Sequence, residues 1–169
     1  MTIFLYGPDT FSSRKKLQEI KEKYLREVPN GHLNLLFLAG ETASPQEAQK
    51  VMTAPPLLAR KRLVIIENIL KNKNKKIGGV ALACLARPSI RDVFVFWEEE
   101  SQSKKKRGVK PATQDTPNPL LKKLLAGDFS QAFPVLFGQD LLLWIKKQGE
   151  AMGASVDPLA QARLADESE

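Results

Sequence analysis

The segment Ile3-Phe-Leu-Tyr-Gly-Pro-Asp-Thr-Phe11 decides the fold, because an apolar run ends in a glycine-proline turn and a helix follows at once. The run Ile3–Tyr6 has the length and residue types of a buried strand, and Asp9 or Thr10 can cap the helix. From Phe11 to Leu25, apolar residues recur at helical spacing while lysine and glutamate fill the other side. The segment therefore predicts the strand, turn and helix that open an α/β fold.

The alternation of strand and helix continues along the chain. Apolar runs typical of buried strands cover Leu33–Leu38, Leu63–Ile66 and Val93–Trp97. Gln131–Leu136 predicts either a last strand or an extended connector. Further helices are predicted from Pro45 to about Met52 with Ser44 as the cap, around Gly79–Leu85, over Leu120–Leu125 and over Gln139–Met152. The pattern predicts a three-layer α/β domain with a parallel sheet, and it leaves the order of the strands open.

The composition is that of a basic chain with enough hydrophobic residues for one core. It has 169 residues, of which 43% are hydrophobic. The formal net charge of +7 favours an anionic neighbour, such as nucleic acid or an acidic protein surface. Cys84 is the single cysteine, so no disulfide can form within the chain, and a reducing cytoplasm is the expected compartment. No apolar run approaches the roughly 18 residues of a membrane span, so no membrane partner is expected.

The stretch Thr53-Ala-Pro-Pro-Leu-Leu-Ala-Arg-Lys-Arg-Leu63 places an apolar pair between two prolines and a basic triplet. The prolines disfavour helix and stiffen the approach to the pair. The triplet Arg60–Arg62 is expected to lie in water, which would leave Leu57 and Leu58 exposed to a partner's pocket. The alternative is that both leucines pack beneath their own domain, as most leucines do. We call residues 55–58 the tip.

The turn after the first strand stands where a phosphate-binding loop would lie. Such a loop needs a second glycine, a lysine and a hydroxyl residue, and this chain has Ser12, Ser13 and Arg14 in those places. Glu67 follows a strand, as the acidic residue of an ATPase does, but a solvated loop carboxylate is the expected role. We therefore expect no nucleotide cofactor.

Other catalytic or metal chemistry finds little support. His32 is the single histidine, which excludes a serine triad and a histidine metal cluster. The acidic run Glu98–Glu100 is expected to be a solvated edge rather than a metal site. We therefore expect no catalytic residue and no metal. A basic run without aromatic neighbours offers candidate contacts to nucleic-acid phosphates, namely Lys104, Lys105, Lys106 and Arg107.

The order and spacing of several segments resemble the N-terminal region of the delta subunit family of the bacterial DNA polymerase III clamp loader. The segments are Phe4–Phe11, Pro55–Asn68, Val93–Trp97, and Leu142–Lys146 with Met152–Pro158. The resemblance implies an AAA+-like domain of degenerate P-loop NTPase type over residues 1–136, without a nucleotide site. It also implies the start of a small helical lid domain over 137–169, with the collar domain absent from a truncated chain or a shortened natural relative.

The resemblance implies a docking role for the tip. In that family an apolar pair enters the hydrophobic pocket of the sliding clamp, the beta subunit, and weakens its ring so that the ring opens for loading onto DNA during replication. Carried over by position, the clamp-binding residues are Pro56 and Leu57, with Leu58 beside them. Family members commonly carry phenylalanine at the place of Leu57, so a smaller anchor is expected here.

The resemblance also sets expectations for other partners. Other clamp-loader subunits would join through a collar, and DNA would be contacted indirectly or weakly. The expected location is the cytoplasm, at the replisome on the nucleoid, and no intrinsic catalysis is expected. Two alternatives stay open: a P-loop-like ATPase or kinase, and a general basic nucleic-acid-binding module.

Overall fold

A five-stranded parallel sheet organises this computed structural model, which describes residues 1–59, 61–87, 91–99 and 118–155, together with 157, 160, 163 and 164. The strands are β1 (Thr2–Gly7), β2 (Leu35–Ala39), β3 (Arg62–Glu67), β4 (Asp92–Glu99) and β5 (Phe129–Ala132). They lie in the order β2-β3-β4-β1-β5, and all neighbouring pairs are parallel. The predicted α/β fold with a parallel sheet is confirmed.

Helices join the strands, and side-chain caps fix where three of them begin. The α-helices among the described residues are α1 (Thr10–Glu27), α2 (Pro45–Thr53), α3 (Lys76–Leu85), α4 (Pro119–Leu125) and α5 (Gly138–Ala151). Asp9 accepts the Ser12 N–H at the start of α1, and Ser44 accepts the Glu47 N–H at the start of α2. Asn118 does the same for α4. These caps satisfy amides that the first helical turn leaves without partners.

Strand β2 begins two residues later than the apolar pattern predicts. Gly31–Asn34 form a 3-10 turn, and the strand covers Leu35–Ala39. The Asn34 side-chain amide donates a hydrogen bond to the Asn30 carbonyl at 3.3 Å, and Asn30 itself has a left-handed backbone with φ of +57°. Local bonds of this kind compete with strand pairing, which explains the later start.

Strand β5 lies earlier than predicted. It ends at Ala132, and Phe133 continues the pairing by one hydrogen bond, from its N–H to the Tyr6 carbonyl at 2.7 Å. Pro134 follows and has no N–H to donate, so the strand cannot extend into the apolar residues that the sequence pattern favoured.

The sheet is buried on both faces. One face packs against α2, α3 and α4 through a cluster that includes Phe4, Met52, Ile66, Phe96 and Leu120. On the other face, Leu5, Ile65, Val95 and Trp97 pack against Leu17 and Tyr24 of α1 and against Phe133. Helix, sheet and helix therefore form the three predicted layers.

The described residues divide into two units, Met1–Phe133 and Pro134–Glu169. The first unit holds the sheet. The second holds α5, in which Ile145 and Gly149 are buried, and a turn in which the Asp157 carboxylate accepts the Ala160 N–H at 3.0 Å. Its assignment as the start of a lid domain stays a prediction. Within the described part of the chain, no helix is long and apolar enough to cross a membrane.

Candidate docking site

The tip is exposed where the chain passes from α2 to β3. The Leu57 side chain is 58% exposed and the Leu58 side chain is 78% exposed, while Pro56 beside them is half-buried. Packing of both leucines beneath their own domain is therefore excluded. The tip presents two adjacent apolar side chains to solvent, and an apolar patch of this kind can dock into a pocket.

Leu58 has a left-handed backbone, with φ of +53°. A left-handed conformation costs an L-amino acid with a Cβ roughly 1–2 kcal/mol. The exposed side chain offers little packing to offset that cost, so neighbouring bonds must hold the backbone in place.

The side chain of Asn34 forms hydrogen bonds to the backbone of the tip. Its side chain is buried, at 3% exposure, and its Nδ2 donates to the Leu57 carbonyl at 2.6 Å. Its Oδ1 accepts the Leu57 N–H. One side-chain amide therefore satisfies both backbone groups of Leu57, as a paired strand would.

Tyr24 of α1 forms a hydrogen bond with the residue that precedes β3, at the end of the segment from Leu57 to Lys61. Its hydroxyl donates to the Lys61 carbonyl at 3.0 Å and lies 3.4 Å from the Asn34 carbonyl. A phenol keeps its proton at neutral pH, and burial raises the pKa of the Tyr24 phenol further, so the hydroxyl is a donor there. The segment from Leu57 to Lys61 is thus held at both ends.

Arg62 fixes the helix that leads into the tip. Its Nε and Nη2 donate to the two carboxylate oxygens of Asp92 at 2.6 and 3.0 Å. Its Nη1 donates to the Val51 carbonyl at 3.0 Å, and Nη2 donates to the Met52 carbonyl. Because carbonyls in the last turn of a helix have no partners within it, the guanidinium caps the end of α2 while it remains paired with a carboxylate.

Three residues that hold the tip were missed or misplaced by sequence reasoning. The basic triplet Arg60–Arg62 was expected to lie in water, and this is wrong for Arg62, which is 3% exposed. Lys61 is exposed, and residue 60 lies outside the described residues. For Asn34, the sequence offered one sign of a structural role, because it is a polar residue inside an apolar run. For Tyr24, the sequence offered no such sign, because its position on α1 has the spacing of any core residue.

An open groove of about 1420 Å³ begins at Leu58 and continues between α1 and the strands β1 and β5. Ile3, Ile20 and Phe129 supply apolar walls, and Phe129 is 54% exposed. The apolar surface of the tip therefore continues into a concave surface beside it.

The turn between β1 and α1 is closed by bonds within the chain. Gly7 has φ of +135°, and a Cβ there would overlap the carbonyl oxygen of Phe133, so this position needs glycine. The same carbonyl accepts the Asp9 N–H at 3.0 Å, and Pro8 has no N–H. Amides that would face a phosphate in a nucleotide-binding loop are thus absent or already bonded.

Glu67, at the end of β3, is paired with the guanidinium of Arg14. Arg14 Nη1 lies 2.6 Å from Glu67 Oε1, and the guanidinium carbon lies 3.7 Å from the centre of a Trp97 ring. Trp97 Nε1 in turn donates to the buried Ser13 hydroxyl at 3.1 Å. The expectation of a solvated Glu67 is wrong in part, since its side chain is only 30% exposed and is paired. The residues present do not fit the nucleotide and magnesium ion of a phosphate-binding loop.

Of the acidic run Glu98–Glu100, Glu98 and Glu99 end β4 and do not form a uniformly solvated edge, while Glu100 lies outside the described residues. Glu98 is 6% exposed and accepts the Leu70 N–H at 2.9 Å, which corrects the prediction for this residue. Burial raises the pKa of the Glu98 carboxyl to about 7. Glu99 is exposed and lies 3.4 Å from Lys71. Among the described residues, no cluster of three or more His, Cys, Asp or Glu side chains could hold a metal ion.

The basic run Lys104–Arg107 lies outside the described residues. Its contact with nucleic acid stays a prediction, as does the binding of a clamp by Pro56, Leu57 and Leu58.

Comparison with known proteins identifies solved structures of similar fold. No protein-family model matches the chain, and a search of characterised protein sequences found no match. The chain is similar to the DNA clamp loader delta protein of Bacillus subtilis, with a TM-score of 0.64 and 19% identity over 96% of this chain and 47% of that one. A DNA polymerase III gamma subunit-related protein of Thermotoga maritima gives a TM-score of 0.49 and 15% identity over 90% and 48%. The chain spans about half the length of these structures, and it shares its fold with the DNA clamp loader delta protein of Bacillus subtilis.

Proposed function

We propose that this chain is a clamp-loader subunit of delta type, which binds the DNA polymerase sliding clamp through the tip and helps to open the clamp ring for loading onto DNA during replication. The observation that carries the proposal is the exposure of Leu57 and Leu58 on a segment whose backbone is fixed. The fold shared with a clamp loader delta protein supports it.

The energetics of the tip are adequate for docking. Full burial of a leucine side chain contributes roughly 1.5–3 kcal/mol, and two adjacent leucines can form the centre of a small interface. Because the tip backbone is already held by hydrogen bonds, little conformational entropy remains to be lost on binding. The partner's contribution is an apolar pocket that accepts Leu57 and Leu58.

The protein does this without using a nucleotide itself. The pairing of Glu67 with Arg14 and the bonded turn at Gly7 support this part of the proposal. Other clamp-loader subunits would therefore supply any ATP hydrolysis, and they would join this one through a collar domain. DNA is contacted weakly, through Lys104–Arg107, and the protein acts in the cytoplasm at the replisome.

Titration calorimetry against the sliding clamp of the same organism tests the proposal. The double variant Leu57→Ser, Leu58→Ser should lose binding, because it removes both anchors and leaves the backbone contacts of the tip in place. The matched control is Leu143→Ser, Met152→Ser, which changes two side chains of similar exposure, 65% and 78%, outside the tip. It should bind as the wild type does.

Two results would contradict the proposal: a folded wild type that does not bind the clamp, or a tip variant that binds as tightly as the control. Ring opening is tested separately, by adding the protein to clamps already loaded on closed circular DNA. Release of clamps by the wild type, and not by the tip variant, is the expected result.

A further inference from the structure

The tip has an exposed apolar pair, Leu57 and Leu58, whose side chains offer little packing to define its shape. Leu57 and Leu58 both point largely into solvent, and Leu58 has the disfavoured left-handed backbone. The shape of the tip must therefore come from bonds to its backbone.

Asn34 supplies those bonds at the position just before Leu58. Its side chain makes three hydrogen bonds to backbone groups: two with Leu57 and one with the Asn30 carbonyl. The bond to Asn30 fixes the orientation of the amide, so that its oxygen faces the Leu57 N–H and its nitrogen faces the Leu57 carbonyl. Since Asn34 is 3% exposed, water does not compete freely for these groups.

The turn that carries Asn34 is itself held by α1. The Tyr24 hydroxyl lies within hydrogen-bonding distance of both the Asn34 and the Lys61 carbonyls, so it joins the turn to the far end of the tip segment. A displacement of Asn34 would release Leu57 and loosen the whole segment up to β3.

We propose that Asn34 is a positioning residue for docking: it keeps the tip in the one backbone conformation that presents Leu57 and Leu58 together to a clamp pocket. The inference rests on the proposed function and adds to it a residue that never touches the partner. If only a fraction of molecules held the tip in this conformation, the apparent dissociation constant would rise by the inverse of that fraction.

Asn34→Ala tests the inference, with Asn72→Ala as a matched control. Asn72 also makes three hydrogen bonds to backbone groups, to Gly40 and Ala43 at 2.6 and 2.9 Å and from Asn74 at 2.7 Å, and none of them lies in the tip. Both variants lose a comparable set of bonds, so a general loss of stability affects both. A loss of positioning affects Asn34→Ala alone.

Two measurements are made on the full chain. Amide hydrogen exchange at Leu57 reports the order of the tip without any partner, and surface plasmon resonance against the sliding clamp reports docking. In Asn34→Ala we expect faster exchange at Leu57 with unchanged exchange in the sheet, and clamp binding weaker by about tenfold. In Asn72→Ala both values should stay within about twofold of the wild type.

The outcomes separate this inference from the proposed function. If the wild type binds the clamp and Asn34→Ala binds no worse than Asn72→Ala, the positioning role is overturned while the proposed function stands. If the folded wild type does not bind, the proposed function fails, and the docking role of Asn34 fails with it. Should Asn34→Ala not fold, Asn34→Ser replaces it, since serine keeps a polar group at this position but cannot bond both backbone groups of Leu57. Faster exchange at Leu57 with weaker binding than in Asn72→Ser supports the inference, and binding no weaker than in Asn72→Ser overturns it.

Discussion

Leu58 combines two properties that a stable fold disfavours, a left-handed backbone and a largely exposed apolar side chain. Asparagine tolerates the left-handed region better than other residues with a Cβ. We therefore expect Leu58→Asn to raise the free energy of unfolding by about 0.5–1 kcal/mol, measured by urea denaturation, and to weaken clamp binding. Leu57→Asn is the control, because Leu57 has no positive φ, and it should not stabilise. A destabilised Leu58→Asn would show that the leucine packs more than its exposure indicates.

Glu98 should make stability depend on pH. Burial raises its pKa from 4.5 to about 7 in the folded state; Lys71 lowers it and Glu41 raises it to a smaller extent. Between these pH values the folded state binds more protons than the unfolded state, so the free energy of unfolding falls as the pH rises from about 4.5 to about 7. The Glu98→Gln variant should lose this component, on the order of 2–3 kcal/mol, in urea denaturation across the window. Equal pH slopes for the two proteins would show that Glu98 is ionised in the folded state at its ordinary pKa.

At the scale of elements, Arg62 connects three of them: it lies in β3, pairs with Asp92 in β4 and caps α2. Removing one partner of a buried pair leaves the other charge uncompensated. Arg62→Ala should therefore lower the free energy of unfolding by roughly 3 kcal/mol, measured by urea denaturation. Arg62→Lys should recover only part of the loss, because an ammonium cannot reproduce the forked geometry. A full recovery by lysine would mean that charge alone, without the bonds to α2, accounts for the effect.

The β1–α1 turn gives a prediction about ligands. Magnesium ATP at millimolar concentration should not change the melting temperature of the wild type, because its own chain already occupies the turn. Arg14→Ser, which restores a hydroxyl at the position of the usual magnesium ligand, should not gain binding either. Pro8 and the Phe133 carbonyl remain in place in that variant. A clear upward shift in either protein would support the alternative of a P-loop-like ATPase.

For the whole molecule, the residues that form and hold the tip all belong to the first unit, Met1–Phe133. We expect a fragment of residues 1–133 to unfold in one cooperative transition and to bind the clamp within about threefold of the full chain. Calorimetric unfolding and clamp titration check the two parts. Loss of binding by a fragment that unfolds cooperatively would show that the second unit contributes to the docking surface.

The sequence was enough for the architecture because the architecture depends on local patterns. Runs such as Leu63–Ile66 indicate strands buried on both faces, and Ser44 with Pro45 marks the start of a helix; both predictions are confirmed. The bounds of β2 and β5 differ from the prediction for local reasons, namely the Asn34–Asn30 bond and Pro134. The other failed predictions concern polar residues whose partners are distant in sequence. Arg62 pairs with Asp92, which is thirty residues later, and Glu98 accepts a hydrogen bond from the Leu70 amide, which is 28 residues earlier. Periodicity cannot reveal such pairs, because each partner alone resembles a surface residue.

The ion pair between Arg14 and Glu67 has a consequence for regulation. A protein can report the concentration of a ligand only if the ligand binds one of its conformations more tightly than another. If the Arg14 guanidinium takes the place of a bound magnesium nucleotide, no nucleotide shifts the conformations of the first unit, and we expect its conformational balance to be the same in a starved cell as in a growing one. If docking to a clamp follows a cycle in time, the signal for that cycle must arrive from a neighbouring chain.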